Sequence, residues 1–413
     1  MKATAHSLAV AAPRVAPLTS PVTPARTRPT FRLGGGLVVL LALAHVANDA
    51  IASMLAALLP TLQERFSMSE SMLATIIAVF SFSSAVTQPL FGALSDRVGR
   101  RTLAVVGLVL SVGLLSLMAV APSVPALFAL LIIGGLGSAA FHPTGTSIAR
   151  LAGPNKELAV GMFSAGGMIG LAIGPIAAIA VTASLGVSYT PWLMVPGLLL
   201  GVALNLAAPA SRRLPALERA RFFDWSLLRG PVGGLLATGV LMEIAFVTFS
   251  SGFPLWLVSE QSVARDSGII GWTLAAFYVA AAVGGAGAGV ISRRIPQRTV
   301  IATALVLAPL PLFGAFIASP GSVLYFAAIA LAGMLVNAAF PLLIVAAQER
   351  APRSEATASG ILMGLSVGIA GVLYVAIGWL QQVVGFTAAM SVGYFALIPA
   401  ALVSLRVIVR PER

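Results

Sequence analysis

The chain is 413 residues long, 58% hydrophobic and 9% charged, with a mean hydropathy of +0.99. A soluble domain carries about 25% charged residues, so this composition excludes one and marks an integral membrane protein. The absence of cysteine excludes disulfides, thiolate metal sites and cysteine nucleophiles, and the net charge of +12 follows membrane topology, not a nucleic-acid surface.

Residues 1–33 are basic and broken by Pro13, Pro17, Pro21, Pro24 and Pro29, so they are expected to form a disordered cytoplasmic tail. The LAVAA patch within them is too short for a signal-peptide core, which leaves the first spanning helix as the uncleaved insertion signal. Twelve apolar segments follow, at approximately 35–60, 70–94, 102–121, 125–149, 157–185, 190–208, 231–258, 268–291, 299–318, 321–347, 357–382 and 386–408. Each is long enough to cross a hydrocarbon core, which needs about 20 helical residues. All but two of the 25 lysines and arginines then fall on one side, the exceptions being Arg65 and Arg265. The excess of basic loops on one side predicts that both termini are cytoplasmic, in a bacterial inner membrane. Trp192, Trp256, Trp272 and Trp379 fall at predicted outer helix ends and Trp225 just before the seventh helix, as an interfacial belt would place them.

The two halves repeat. Ser95, Arg97, Arg101 and Thr102 recur as Ser292, Arg294, Arg298 and Thr299, and FHPTGTSIAR from Phe141 aligns with FPLLIVAAQER from Phe340. The expected organisation is all-α: a six-helix bundle over 34–208, a cytoplasmic linker over 209–230 and a second six-helix bundle over 231–413.

The first helix carries His45, Asn48 and Asp49 inside an otherwise apolar run. His45 and Asp49 are four apart and share a face, with Asn48 beside them. A carboxylate at mid-bilayer costs at least about 2.5–3.5 kcal/mol and rarely faces lipid. A structural reading also exists, in which the pair only pins two helices together. The fourth helix runs back through the membrane and brings His142 to within about one helical turn of His45 in depth, at 1.5 Å per residue. Glu243 lies near the centre of the seventh helix, about one repeat after Asp49, and Asn337 near the centre of the tenth.

Between the second and third helices stands GALSDRVGRR, Gly92 to Arg101. Gly92 and Gly99 allow close approach and a tight turn. Asp96 can accept from amides at a helix N-terminus, and Arg97, Arg100 and Arg101 can pair with carboxylates across a bundle interface. The alternative is a solvated basic turn. In the fifth helix, Gly166, Gly170 and Gly174 form a smooth stripe for helix packing, followed by Pro175 as a bend point.

The Gly92–Arg101 loop resembles the G-x-x-x-D-R-x-G-R-R loop of the major facilitator superfamily, and the resemblance extends over all twelve helices. The fifth-helix motif is similar to one found in antiporters of that superfamily, although packing alone explains its glycines. The His-x-x-Asn-Asp segment at His45, the Phe-His-Pro segment at Phe141 and the NKELAVGMFSAGG stretch resemble the fosmidomycin-resistance branch. Many relatives there carry Glu after the His-Pro pair, where this chain has Thr144. The resemblance implies that helices one, four, seven and ten, which hold His45, Asp49, His142, Glu243 and Asn337, line a central cavity.

These residues lead to an expected proton-coupled secondary transporter exporting a small drug-like molecule by alternating access. Glu243 is expected to carry the proton, because it has no base at helical spacing, while Asp49 with His45 modulates the site. Asn48, His142 and Asn337 are expected to contact substrate, and the Gly92–Arg101 loop to lock the conformation. A proton-coupled importer on the same fold is the nearest alternative. A multipass enzyme using His and Asp, or a membrane sensor, stands further off, since the twofold repeat argues against both. Zinc bound by two histidines and a carboxylate is chemically possible. Without a denser ligand cluster, however, the expectation carries no metal and no cofactor. The expected partners are substrate, protons and lipid, with no nucleic acid, and the expected state is a monomer.

Overall fold

Residues 35–68, 70–209, 225–264 and 267–408 are described by the structure, a computed structural model. The expected tail, most of the expected linker and the side chains of Asp96 and Trp225 lie outside the described residues. Twelve helices are long and apolar enough to span a bilayer: α1 (Gly35–Leu59), α2 (Thr75–Ser95), α3 (Arg100–Val120), α4 (Val124–Ala152), α5 (Lys156–Ser184), α6 (Val187–Ala207), α7 (Val232–Ser259), α8 (Gly268–Ile291), α9 (Gln297–Ile317), α10 (Val323–Arg350), α11 (Glu355–Val384) and α12 (Phe386–Val407). No strand occurs among the described residues. The helices form two pseudo-symmetric halves, α1–α6 and α7–α12.

Local sequence explains where several helices begin. Ser123, Asn155, Ser267 and Ser322 each accept a backbone N–H at the start of α4, α5, α8 and α10, which satisfies a donor the first turn leaves free. Gly99 separates α2 from α3 at φ 111°, a conformation that glycine adopts without a Cβ penalty. Three helices contain one wide turn each, Phe82–Val86 in α2, Thr248–Gly252 in α7 and Ile361–Leu365 in α11.

Small residues set how closely the helices approach. The Gly166, Gly170 and Gly174 stripe of α5 lies against Ala42, Val46 and Ala50 of α1, so a Cβ at Gly170 would come within 2.6 Å of the Val46 carbonyl oxygen. The two halves meet along two further seams of the same kind. In one, Gly161 of α5 faces Gly285 of α8, while Gly289 faces Leu158. In the other, Gly92 of α2 meets Ala356 of α11, and Gly360 and Gly364 meet Gln88 and Ala85. Both seams involve the beginnings of α5 and α11 and the ends of α2 and α8. That is the end of the molecule bearing the basic loops.

Three tryptophans, Trp192, Trp272 and Trp379, are exposed on the apolar surface as a belt requires, but Trp256 is not. It packs among Phe253 and Phe316 and donates from Nε1 to Thr387 Oγ1 at 2.8 Å. Thr387 in turn donates to Glu260, which also accepts from the backbone N–H groups of Phe386 and Thr387 at 2.7 and 3.3 Å. Partial burial would push the Glu260 carboxyl up, but these hydrogen bonds hold it below its usual range. Trp256 is thus part of a brace between α7 and α12, because its indole N–H finds an acceptor there.

The packing predicts an asymmetric response to small substitutions. Gly170→Val should destabilise the protein by about 1–3 kcal/mol, since the approach to Val46 leaves no room for methyl groups. Gly113→Ala, where nothing lies within 4 Å of the added Cβ, should be neutral. Thermal unfolding in detergent, followed by retention of the monodisperse peak, compares the two.

Candidate functional site

Asp49 sits at the centre of a cluster assembled by α1, α4 and α5. Its Oδ2 lies 3.2 Å from His45 Nε2 and its Oδ1 3.2 Å from His142 Nε2. Side-chain exposures of 4, 13 and 14% for His45, Asp49 and His142 leave the group largely sealed, with its rim touching accessible space. Asn48 donates from Nδ2 to Asp49 Oδ1 at 2.8 Å and to Ser138 Oγ at 3.0 Å. Each imidazole is fixed at its other nitrogen by a backbone carbonyl: His45 Nδ1 by Phe163 at 2.7 Å, His142 Nδ1 by Ser138 at 2.8 Å. A carbonyl only accepts, so each Nδ1 carries a hydrogen and each Nε2 is the nitrogen presented to the carboxylate.

The positions follow from the helices. The i, i+4 spacing puts His45 beside Asp49 on α1. The His45 ring stacks on Phe163 of α5 at 4.1 Å and stands nearly perpendicular to His142, at 83° and 4.8 Å between centroids. Gly167 of α5 makes room for the cluster, since a Cβ there would lie 2.7 Å from His45 Nε2 and 2.8 Å from Asp49 Oδ2. Ser138, Phe163 and Gly167 were not singled out from the sequence. A signal for Gly167 existed in its place beside Gly166, one helical turn from neither end of the stripe, but nothing local marked the two carbonyls.

Two residues expected to contact substrate are engaged in buried hydrogen bonds in this conformation. Asn48 is fully buried behind the carboxylate with its amide nitrogen shared between Asp49 and Ser138. Asn337 of α10 is buried and donates to the Ala281 carbonyl of α8 at 2.8 Å. Both amides therefore brace helices in this conformation, as expected of a buried donor that must find an acceptor in an apolar setting. Thr144 is also buried and turns its hydroxyl onto the carbonyls of Ala140 and Phe141. Glu243 of α7 is 7% exposed and has no hydrogen-bond or ion-pair partner among the described residues.

The Gly92–Arg101 segment lies at the basic end. Arg100 reaches across to Glu355, at the first turn of α11, at 2.9 Å, and Arg150 of α4 meets the same carboxylate at 2.5 Å. Arg101 instead turns toward Asn205 and the Ala208 carbonyl at the end of α6. Arg97 lies in the last turn of the helix that continues α2. Lys156 pairs with Glu349, and Gln297 donates to Glu157 at 2.9 Å, so polar contacts as well as the glycine seams join the halves here. Glu355 was missed from the sequence. Its signal was an acidic residue in the first turn of a helix on the side crowded with arginines.

The sequence matches the Major Facilitator Superfamily over residues 41–375. It is 28% identical over 357 residues to the fosmidomycin resistance protein of Escherichia coli (strain K12), covering 82% of this chain and 85% of that protein. It is also 28% identical over 373 residues to the uncharacterized MFS-type transporter YfnC of Bacillus subtilis (strain 168), covering 86% of this chain and 88% of that one. Among solved structures, the transporter FucP in the outward conformation superposes with a TM-score of 0.72 at 16% identity, over 90% of this chain and 99% of that one.

The pairing at Glu355 predicts that Glu355→Gln loosens the basic end by leaving Arg100 and Arg150 without their shared anion. Because the natural chain has no cysteine, Ser95→Cys places a single thiol at this buried seam. Maleimide labelling of that thiol should rise several-fold in the Glu355→Gln background and stay low without it.

Proposed function

The chain belongs to the Major Facilitator Superfamily, and from that premise we propose that it exports a small organic molecule across a bacterial inner membrane in exchange for protons. The observation that carries this reading is the contrast between two buried carboxyls in opposite halves. Asp49 has two imidazoles and an amide to compensate its charge, whereas Glu243 has no partner among the described residues. An ionised carboxylate without a counter-charge is strongly disfavoured in a low-dielectric setting, so the counter-ion Glu243 takes when sealed is a proton. When the cavity opens to water on either side, the same carboxyl can release it. Alternating access then ties proton movement to substrate movement.

In this reading Glu243 is the proton carrier and Asp49 with His45 and His142 modulates the substrate site. Substrate reaches the cluster at its rim, through His142 and Asp49, which keep partial exposure. The glycine seams and the Arg100–Glu355–Arg150 contacts form the lock that seals the basic end. The positive-inside distribution puts that end in the cytoplasm, so the conformation described has its substrate site closed to the cytoplasm. The name of the Escherichia coli relative favours export over import, and the α5 glycine motif is consistent with it. Import by the same fold remains the second reading, since coupling direction depends on site energetics and not on architecture.

Reporter fusions test the orientation. One after Pro209 should report from the cytoplasm and one after Pro122 from the periplasm; the reverse pattern would invert the proposed direction of closure.

Reconstituted protein tests the coupling, with fosmidomycin as the first probe compound. Glu243→Gln should abolish uptake driven by an imposed pH gradient while preserving exchange of labelled for unlabelled compound, because exchange need not release the proton. Gradient-driven transport persisting in Glu243→Gln would move the carrier role to the Asp49 cluster.

A further inference from the structure

We propose that His45, Asp49 and His142 form a binding site for a first-row divalent cation of the zinc and cobalt class. The ligand atoms of the three residues lie within 4.8 Å of one another. Each imidazole faces its own carboxylate oxygen, His45 Nε2 at 3.2 Å from Oδ2 and His142 Nε2 at 3.2 Å from Oδ1, and either separation is close to the edge of about 3.3 Å that tetrahedral bonds of 2.0–2.1 Å would give. Two imidazoles with one carboxylate suit a borderline cation and not calcium or magnesium, which prefer all-oxygen shells.

The second shell is the stronger argument. A metal-binding imidazole ordinarily donates its distal N–H to a carbonyl or carboxylate, which fixes the tautomer and aims the other nitrogen. Both histidines do this, to Phe163 and Ser138, from two different helices. The carboxylate is held in the same way by the Asn48 amide, itself anchored on Ser138. His45 is further locked by stacking on Phe163, and Gly167 leaves the space in front of its Nε2 free of a side chain.

Hydrogen bonding within the trio leaves one nitrogen unanswered. His45 Nε2 is buried and, although 3.2 Å from Asp49 Oδ2, has no hydrogen-bond partner in proper geometry. With Nδ1 committed to the Phe163 carbonyl, Nε2 faces the carboxylate across a gap that a proton or a metal ion can fill. Three protein ligands also leave a tetrahedral ion one open position, on the rim where His142 and Asp49 keep some exposure.

Binding is measured on the full chain, without an affinity tag containing histidine, purified in detergent and freed of metal. Titration with Co2+ should give one ion per chain with the intense visible bands of a four-coordinate site, and Zn2+ should bleach them. His142→Ala and Asp49→Asn should each weaken Co2+ binding at least tenfold, while His6→Ala and Glu243→Gln leave it within twofold. Gly167→Ala, which crowds His45 Nε2 without removing a ligand, should weaken it as well. Monodispersity of each variant shows that it is folded; if Asp49→Asn fails that check, His142→Ala at the exposed rim decides. No saturable Co2+ binding at micromolar concentration, or bands that survive His142→Ala, would overturn the proposal. The outcome is independent of the transport reading, since no flux is measured.

Discussion

A carboxylate placed within a membrane bundle must have its charge answered, and the way Asp49 is answered organises the first half of this protein. Compensation comes from α1 itself through His45 and Asn48, and from α4 through His142. Holding both imidazoles in register requires carbonyls from α4 and α5, so three helices are tied to one side chain. Close approach of α5 to α1 is a condition of that arrangement. The glycine stripe supplies it, and the glycine at 167 turns the same smooth face into room for the cluster.

The same device of glycine against backbone recurs where the halves meet, with a different consequence. Within the first half it makes a permanent contact around a polar centre. Between α2 and α11 and between α5 and α8 it joins the two halves, largely through glycine against the backbone of the opposite half. A few charged contacts at the basic end, above all Arg100 and Arg150 on Glu355, link the same two halves.

The two halves treat their buried carboxyls unequally despite the repeat. In the first half the acid is surrounded by groups that share its charge; in the second, Glu243 is buried with no hydrogen-bond or ion-pair partner among the described residues. The repeated architecture offers two equivalent positions, and divergence of the surrounding side chains gives them different chemistry. That asymmetry underlies both the coupling and the cation site that we propose.

Much of the architecture was legible in the chain because a bilayer makes local composition decisive. Twelve runs of about the right length, a one-sided pattern of arginines and a repeat leave little choice of fold class, since every backbone polar group must be satisfied within its own helix. The polar residues buried in those runs were legible for the same reason. Which of them meet was not. His142 is 93 positions from Asp49, and its distance to the carboxylate depends on how α1, α4 and α5 cross, which the missing side chains at Gly166, Gly167 and Gly170 permit. Polarity alone marked Asn48 and Asn337 but not their partners; tertiary packing gave each a buried acceptor in this conformation, Ser138 and the Ala281 carbonyl. Trp256 had the composition of a membrane belt, and the presence of Thr387 beside it drew the indole inward instead. Glu355 meets two arginines from helices far from it in sequence, a contact that exists only once the halves have closed. Composition and periodicity act along a helix and are readable there, whereas hydrogen-bond partners are decided between helices.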